Sequence, residues 1–201
     1  MPRITEERLQ DRRASIIAAA RQVFAEKGYE QSAINDIAQI AGTSDGLIYH
    51  YFDGKKGLLV EVIDSVYRNL IEGTESAIAE QTDFRGMLTV LVDRHVHSFA
   101  DDPDLSRLFI AEIRNFDDHA DSAGNRLNHV YSSVFLRVLA KGVEEGKVSG
   151  KLDPRLVRDI FFGGIKQLAL RHISDGVPLE VASVTRQVVA FLIGGLAATD
   201  A

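Results

Sequence analysis

Apolar residues recur along this chain at three- and four-residue spacing, and nowhere do they alternate with period two, so the pattern predicts helix after helix. Ile16, Ile17, Ala20, Val23 and Phe24 form the first stripe, over about Glu7 to Lys27. Gly28 is its stop signal and Tyr29 packs back beyond it. Two short helical patterns follow. Ile34, Ile37, Ala38 and Ala41 share the face of one, while Leu47, Ile48 and Phe52 anchor the other. Only Gly42, Thr43 and Ser44 separate them. A left-handed backbone costs little at Gly42, Ser44 is placed to cap the second helix, and Ser32 is placed to cap the first by accepting a backbone N–H.

The remaining pattern is longer. Leu58, Leu59, Val62, Ile63, Val66, Leu70 and Ile71 predict a helix from after Lys55 to about Glu80, and Leu88, Leu91, Val92, His95 and Phe99 another from Phe84 to Ala100. Asp102-Pro103 reads as a cap with proline at the first helical position, opening a helix whose face carries Leu105, Leu108, Phe109, Glu112 and Phe116. Asp117 to Gly124 reads as a loop. Val130, Tyr131, Val134, Phe135 and Val138 place the next helix at about Asn125 to Glu145. Asp153-Pro154 caps an apolar helix that runs to Asp175. Pro178 is expected to start the last one, seamed by Val181, Val184, Val188, Leu192 and Leu196. The expectation is an all-α chain of about nine helices without internal repeats.

The two short helices around Gly42 read as a helix-turn-helix. With Leu47, Ile48 and Phe52 turned inward, Asp45, Gly46, Tyr49 and His50 lie on an outer edge that can approach a DNA major groove. Ala18-Ala19-Ala20, Phe24, Gly28-Tyr29, Ile37-Ala38, Ala41-Gly42, Gly46 to Phe52, Lys55 and Leu58-Leu59 together resemble the TetR family of bacterial transcriptional regulators. The resemblance implies a reading head at 1–54 and a ligand-binding and dimerisation body at 55–201. It implies a homodimer on a palindromic operator in double-stranded DNA, its interface built from the last two helices. Those helices hold more apolar surface than one monomer face would bury, and the pairs Gly163-Gly164 and Gly194-Gly195 permit close approach. In the head, Tyr49, His50 and Lys55, with Ser32 and Ser44, are expected on phosphates, and Thr43, Asp45 and Gly46 beside base edges. Thr43 stands where the family usually has valine.

Charge sharpens this reading. The net charge is -6, yet the eight basic residues up to Val60 are matched by eight acids, so the acidic excess belongs to the body. There is no cysteine, which excludes disulfides, thiolate zinc sites and a cysteine nucleophile. No apolar run approaches the roughly 20 residues of a membrane span, and residues 1–7 show no signal-peptide character, so the cytoplasm is the default. Catalysis has no motif to rest on. His95 and His97 are two apart and cannot chelate one metal from a helix, and neither a Gly-x-Ser-x-Gly elbow nor a phosphate-binding glycine loop occurs. No cofactor or metal is expected. A DNA-bending protein would not need so large a helical body.

That body places His95 and Glu112 on the apolar faces of neighbouring helices, where burial is costly unless they pair or meet a ligand. Arg94-His95, Asp104-Leu105, Glu112-Ile113-Arg114 and Leu152 to Arg158 are also similar to the fatty-acid-degradation subgroup of the family. That similarity implies a small apolar effector, a long-chain acyl-CoA, whose binding releases DNA. Phe99, Phe109, Phe116, Tyr131, Phe135 and Phe162 are the expected cavity wall, with His95, Glu112 and Arg114 at its polar end. A flat aromatic or drug-like ligand is the alternative.

Overall fold

The computed structural model describes residues 6–116 and 123–197. Among these residues there are nine α-helices and no strand: α1 Glu6–Gln31, α2 Ile34–Ile40, α3 Asp45–Tyr51, α4 Gly54–Ala79, α5 Phe84–Ala100, α6 Pro103–Phe116, α7 Ala123–Glu144, α8 Pro154–Asp175 and α9 Val181–Leu196. None of them is long and apolar enough to cross a membrane.

The local signals act where the pattern puts them. Gly28 breaks α1 with φ +74°, leaving one further helical turn to Gln31. At the end of α2, Gly42 takes φ +61° while its N–H reaches Gln39 O at 3.3 Å and the Thr43 N–H reaches Ala38 O at 2.9 Å. This paired closure satisfies two of the helix's last carbonyls. The Ser44 hydroxyl accepts the Leu47 N–H, Asp102 accepts that of Leu105, and Asp153 accepts that of Arg155, opening α3, α6 and α8.

Three expectations need correction. Ser32 does not cap α2. Its buried hydroxyl donates to Gly28 O at 2.6 Å and Val23 O at 3.3 Å, because the break at Gly28 frees carbonyls at the end of α1. Ala33 is the N-cap of α2, and its N–H donates to Asp36 instead. The last helix starts at Val181, not Pro178. His172 Nδ1 holds the Val177 carbonyl at 2.8 Å in an extended linker, and the first helical bond runs from the Val184 N–H to Glu180 O. Of the predicted loop 117–124, positions 117–122 lie outside the described residues, and Ala123 and Gly124 already belong to α7.

Ile16, Val23, Phe24, Ile37, Ile48, Phe52, Leu58, Leu59 and Val62 bury the faces of α1 to α3 together with the first half of α4. The second half of α4 continues into the body, against α5 and α7. There α5 is the central helix, with α4, α6, α7, α8 and α9 packed around it. Its N-terminus is held by Glu145, which accepts the Phe84 N–H at 3.2 Å.

Candidate functional site

The head and the body each present a candidate site. In the head, α3 buries Ile48 and turns Tyr49, 61% exposed, to the surface together with Gly46 and His50. Ser44 is exposed, and Thr43 and Asp45 are half-buried at the N-terminal edge of the same helix. Asn35 and Gln39 are exposed on α2 and bonded to each other at 3.0 Å. The Gln39 backbone carbonyl accepts the Gly42 N–H, so this exposed residue lies at the edge of the turn. Sequence reasoning passed over it because it falls outside the apolar stripe.

Cations divide into two groups. Arg13 pairs with Glu61 at 2.5 Å and lies over the Phe52 ring, Arg21 reaches Asp102 at 3.0 Å, and Lys27 reaches Asp36 at 2.9 Å. The Lys27 contact, with the Ala33 N–H behind it, holds the Asp36 carboxyl below the usual carboxylate range. Lys55 is likewise engaged. Its Nζ donates to the carbonyls of Tyr29, Glu30 and Ser32 at 2.9, 3.2 and 3.1 Å and sits 4.5 Å over the Tyr29 ring. An ammonium has three N–H donors, and here all three are taken by the segment between α1 and α2. Lys55 thus fastens the head together and has no donor left for a phosphate. Ser32, buried under the same segment, is equally a structural residue. Arg8, Arg12 and Lys56 are exposed and in no ion pair with the described residues.

In the body, five helices enclose a cavity of about 80 Å³. Helix α4 supplies Val66, Tyr67 and Leu70, and α5 supplies His95, Ser98 and Phe99. Leu105 and Ser106 come from α6, Asn128 and Tyr131 from α7, and Phe162 from α8. His95 stands at its centre, with ring centroids of Phe162, Phe99, Tyr131 and Phe161 at 4.9, 5.3, 5.5 and 5.6 Å. Among the described residues no carboxylate acts on the imidazole, and burial lowers its pKa from 6.5 to about 3, so it is neutral. His97, two residues on, turns instead to Asp93 of its own helix at 3.1 Å.

Of the expected wall, His95, Phe99, Tyr131 and Phe162 come together. Phe135 touches Phe162, with ring centroids 5.9 Å apart, but does not line the cavity. It is fully buried behind the cavity, stacked 4.7 Å from Phe161. The side chains of Phe109, Glu112, Arg114 and Phe116 lie outside the described residues. The contribution of α4 was not foreseen, because Val66 and Leu70 read only as core stripe and Tyr67 was not singled out. Ser106, 3% exposed in an apolar row, was the available signal for a polar lining on α6.

Two family models divide the chain between them: residues 16–62 match the bacterial regulatory proteins of the tetR family, and residues 63–195 match the C-terminal region of YsiA-like proteins. The fatty acid metabolism regulator protein of Bacillus subtilis is 28% identical over 181 residues, covering 90% of this chain and 93% of that protein. The transcriptional repressor KstR2 of Rhodococcus jostii is 25% identical over 187 residues, covering 92% and 91%. Among solved structures, FadR from Bacillus subtilis in complex with stearoyl-CoA superposes with a TM-score of 0.77 at 26% identity, covering 92% of this chain and 99% of that one.

Proposed function

The chain belongs to the TetR family of bacterial regulatory proteins, and from that premise we propose that it is a cytoplasmic repressor that leaves its operator when a long-chain acyl-CoA enters the body. It is a DNA-binding transcriptional regulator and not an enzyme. The observation that carries the effector reading is the match along nine-tenths of the chain to a regulator of fatty acid metabolism, together with the fold match to FadR solved with stearoyl-CoA bound.

We take residues 1–54 as the reading head and 55–201 as the body. Thr43, Asp45 and Gly46 adjoin base edges in the major groove, with Gln39 bordering the turn, and Tyr49 and His50 lie on phosphates. Ser44, Arg8, Arg12 and Lys56 hold phosphates. Dimerisation uses α8 and α9, which expose Leu156 at 58%, Ile160 at 54% and Phe191 at 70% beside the open glycine pairs Gly163-Gly164 and Gly194-Gly195. A two-fold contact there sets two heads on the half-sites of a palindrome.

Release follows from the size of the cavity. At about 80 Å³ it is far below the roughly 300–1,000 Å³ of sites that enclose a ligand, so an acyl chain enters only by spreading the surrounding helices. Two of these connect to the head. Helix α4 buries Leu58, Leu59 and Val62 in the head and presents Val66, Tyr67 and Leu70 to the cavity. Asp102, at the start of α6, accepts the Leu105 N–H with one oxygen and Arg21 of α1 with the other. A ligand that favours the spread state thereby disfavours the head spacing that fits DNA.

A fluorescence titration of operator-bound protein with stearoyl-CoA, free stearate, free CoA and a hydrophobic aromatic cation tests this. Release by stearoyl-CoA at lower concentration than by the others is expected. Release by the aromatic cation alone would favour the second reading, a drug-like ligand stacked among His95, Phe99 and Phe162, and would end the acyl-CoA one.

A further inference from the structure

The cavity wall carries a polar feature that an unsubstituted hydrocarbon cannot use. His95 Nδ1 on α5, the Tyr131 hydroxyl on α7 and the Thr74 hydroxyl on α4 are each shut off from solvent, and each lacks a hydrogen-bond partner. Thr74 is completely buried and Tyr131 is 1% exposed. The two hydroxyls neighbour each other closely enough for Thr74 to favour the ionised phenol, yet without the geometry of a full hydrogen bond. His95 and Tyr131 themselves line the cavity, their rings 5.5 Å apart. Leaving one buried polar group unpaired costs about 1–3 kcal/mol, and here two such groups, on α5 and α7, line one cavity, with Thr74 of α4 buried behind Tyr131.

We propose that the effector bears a neutral oxygen function, a carbonyl or a hydroxyl, along its apolar part, and that Tyr131, Thr74 and His95 receive it when the cavity opens. The proposal rests on the reading that the body takes an apolar effector, and it adds which one. Neutrality follows from the wall. The described lining residues carry no charge, so a carboxylate or an ammonium lying against them would find no counter-ion among them, at a cost far above that of a hydrogen bond. The donors and acceptors also match. Burial keeps the Tyr131 phenol protonated, ready to donate to a carbonyl, and the uncharged imidazole of His95 offers one donor and one acceptor, so a hydroxyl is served as well.

The test is calorimetry with C18 chains, each supplied as free acid and as CoA thioester: octadecanoyl, and a series with one ketone moved along the chain. At one ketone position the wild type should bind about tenfold more tightly than it binds the saturated chain, as one hydrogen bond to a formerly unpaired group provides. In Tyr131→Phe that ratio should fall to about one, and Thr74→Val should reduce it. Thermal stability of Tyr131→Phe should equal or exceed that of the wild type, which a hydroxyl with a structural partner would not allow. Saturated and oxo chains bound equally at every position, or a ratio untouched by Tyr131→Phe and Thr74→Val, would overturn the inference alone. No binding of any chain, as acid or as thioester, would overturn the apolar-effector reading and the inference with it.

Discussion

Two adjacent lysines, Lys55 and Lys56, look alike in the sequence and do different work. Lys55 ties three carbonyls from residues 29–32 to the start of α4, and Lys56 is exposed and in no ion pair with the described residues. Lys55→Ala is expected to destabilise the fold by about 1–3 kcal/mol in urea denaturation, because charge-assisted bonds to part-buried carbonyls are lost. It should leave the salt dependence of DNA binding by the folded fraction unchanged. Lys56→Ala should do the reverse, lowering the slope of log K against log salt by about one with stability intact. Equal slopes for both variants would remove the distinction. His95 makes a second residue-scale prediction. Its folded pKa, about 3, lies below its ordinary 6.5, so the unfolded chain binds the extra proton. Its share of stability is therefore complete above about pH 6.5 and falls by roughly 1.4 kcal/mol per pH unit as acid is added towards pH 3. His95→Phe should flatten that slope relative to the wild type, and parallel acid-denaturation curves would contradict it.

Among the elements, α7 meets α5 at Gly142, where a Cβ would lie 2.5 Å from Val148 Cγ2 and 2.8 Å from Phe84 Cδ2. Gly142→Ala should cost about 1–3 kcal/mol through overpacking, measured by thermal or urea unfolding. An unchanged midpoint would mean that α7 and its turn shift freely. Helix ends such as Gly28, Gly42, Asp102-Pro103 and Asp153-Pro154 were legible in the sequence, because each acts through its own neighbours within a turn. The TetR head was legible for the same reason, as a contiguous motif. What stayed hidden acts across the fold. Ser32 donates nine residues back to Val23, Lys55 reaches 26 back to Tyr29, and Gly142 is small because of Phe84. The cavity was half legible. His95, Phe99, Tyr131 and Phe162 stood out as aromatic or polar, but Phe135 carries the same apolar signature and stacks behind them, while Thr74 gave no signal at all.

For the whole molecule, the proposal needs two copies and a body that communicates with its heads. Phe191, 70% exposed, is the apolar side chain that a partner would cover. Phe191→Asp should shift the protein from dimer to monomer in sedimentation at micromolar concentration and weaken palindrome binding. A monomeric wild type at that concentration would contradict the two-headed arrangement. Communication is tested most directly by thermodynamic reciprocity: if an acyl-CoA weakens operator binding by some factor, the operator must weaken acyl-CoA binding by the same factor. The decisive measurement is therefore the affinity of the protein for stearoyl-CoA, with and without a saturating operator duplex. Weaker binding on the operator, by the factor seen in the release titration, is the predicted result. Equal affinity in both states would show that stearoyl-CoA binding and DNA binding are uncoupled, contradicting the proposed mechanism.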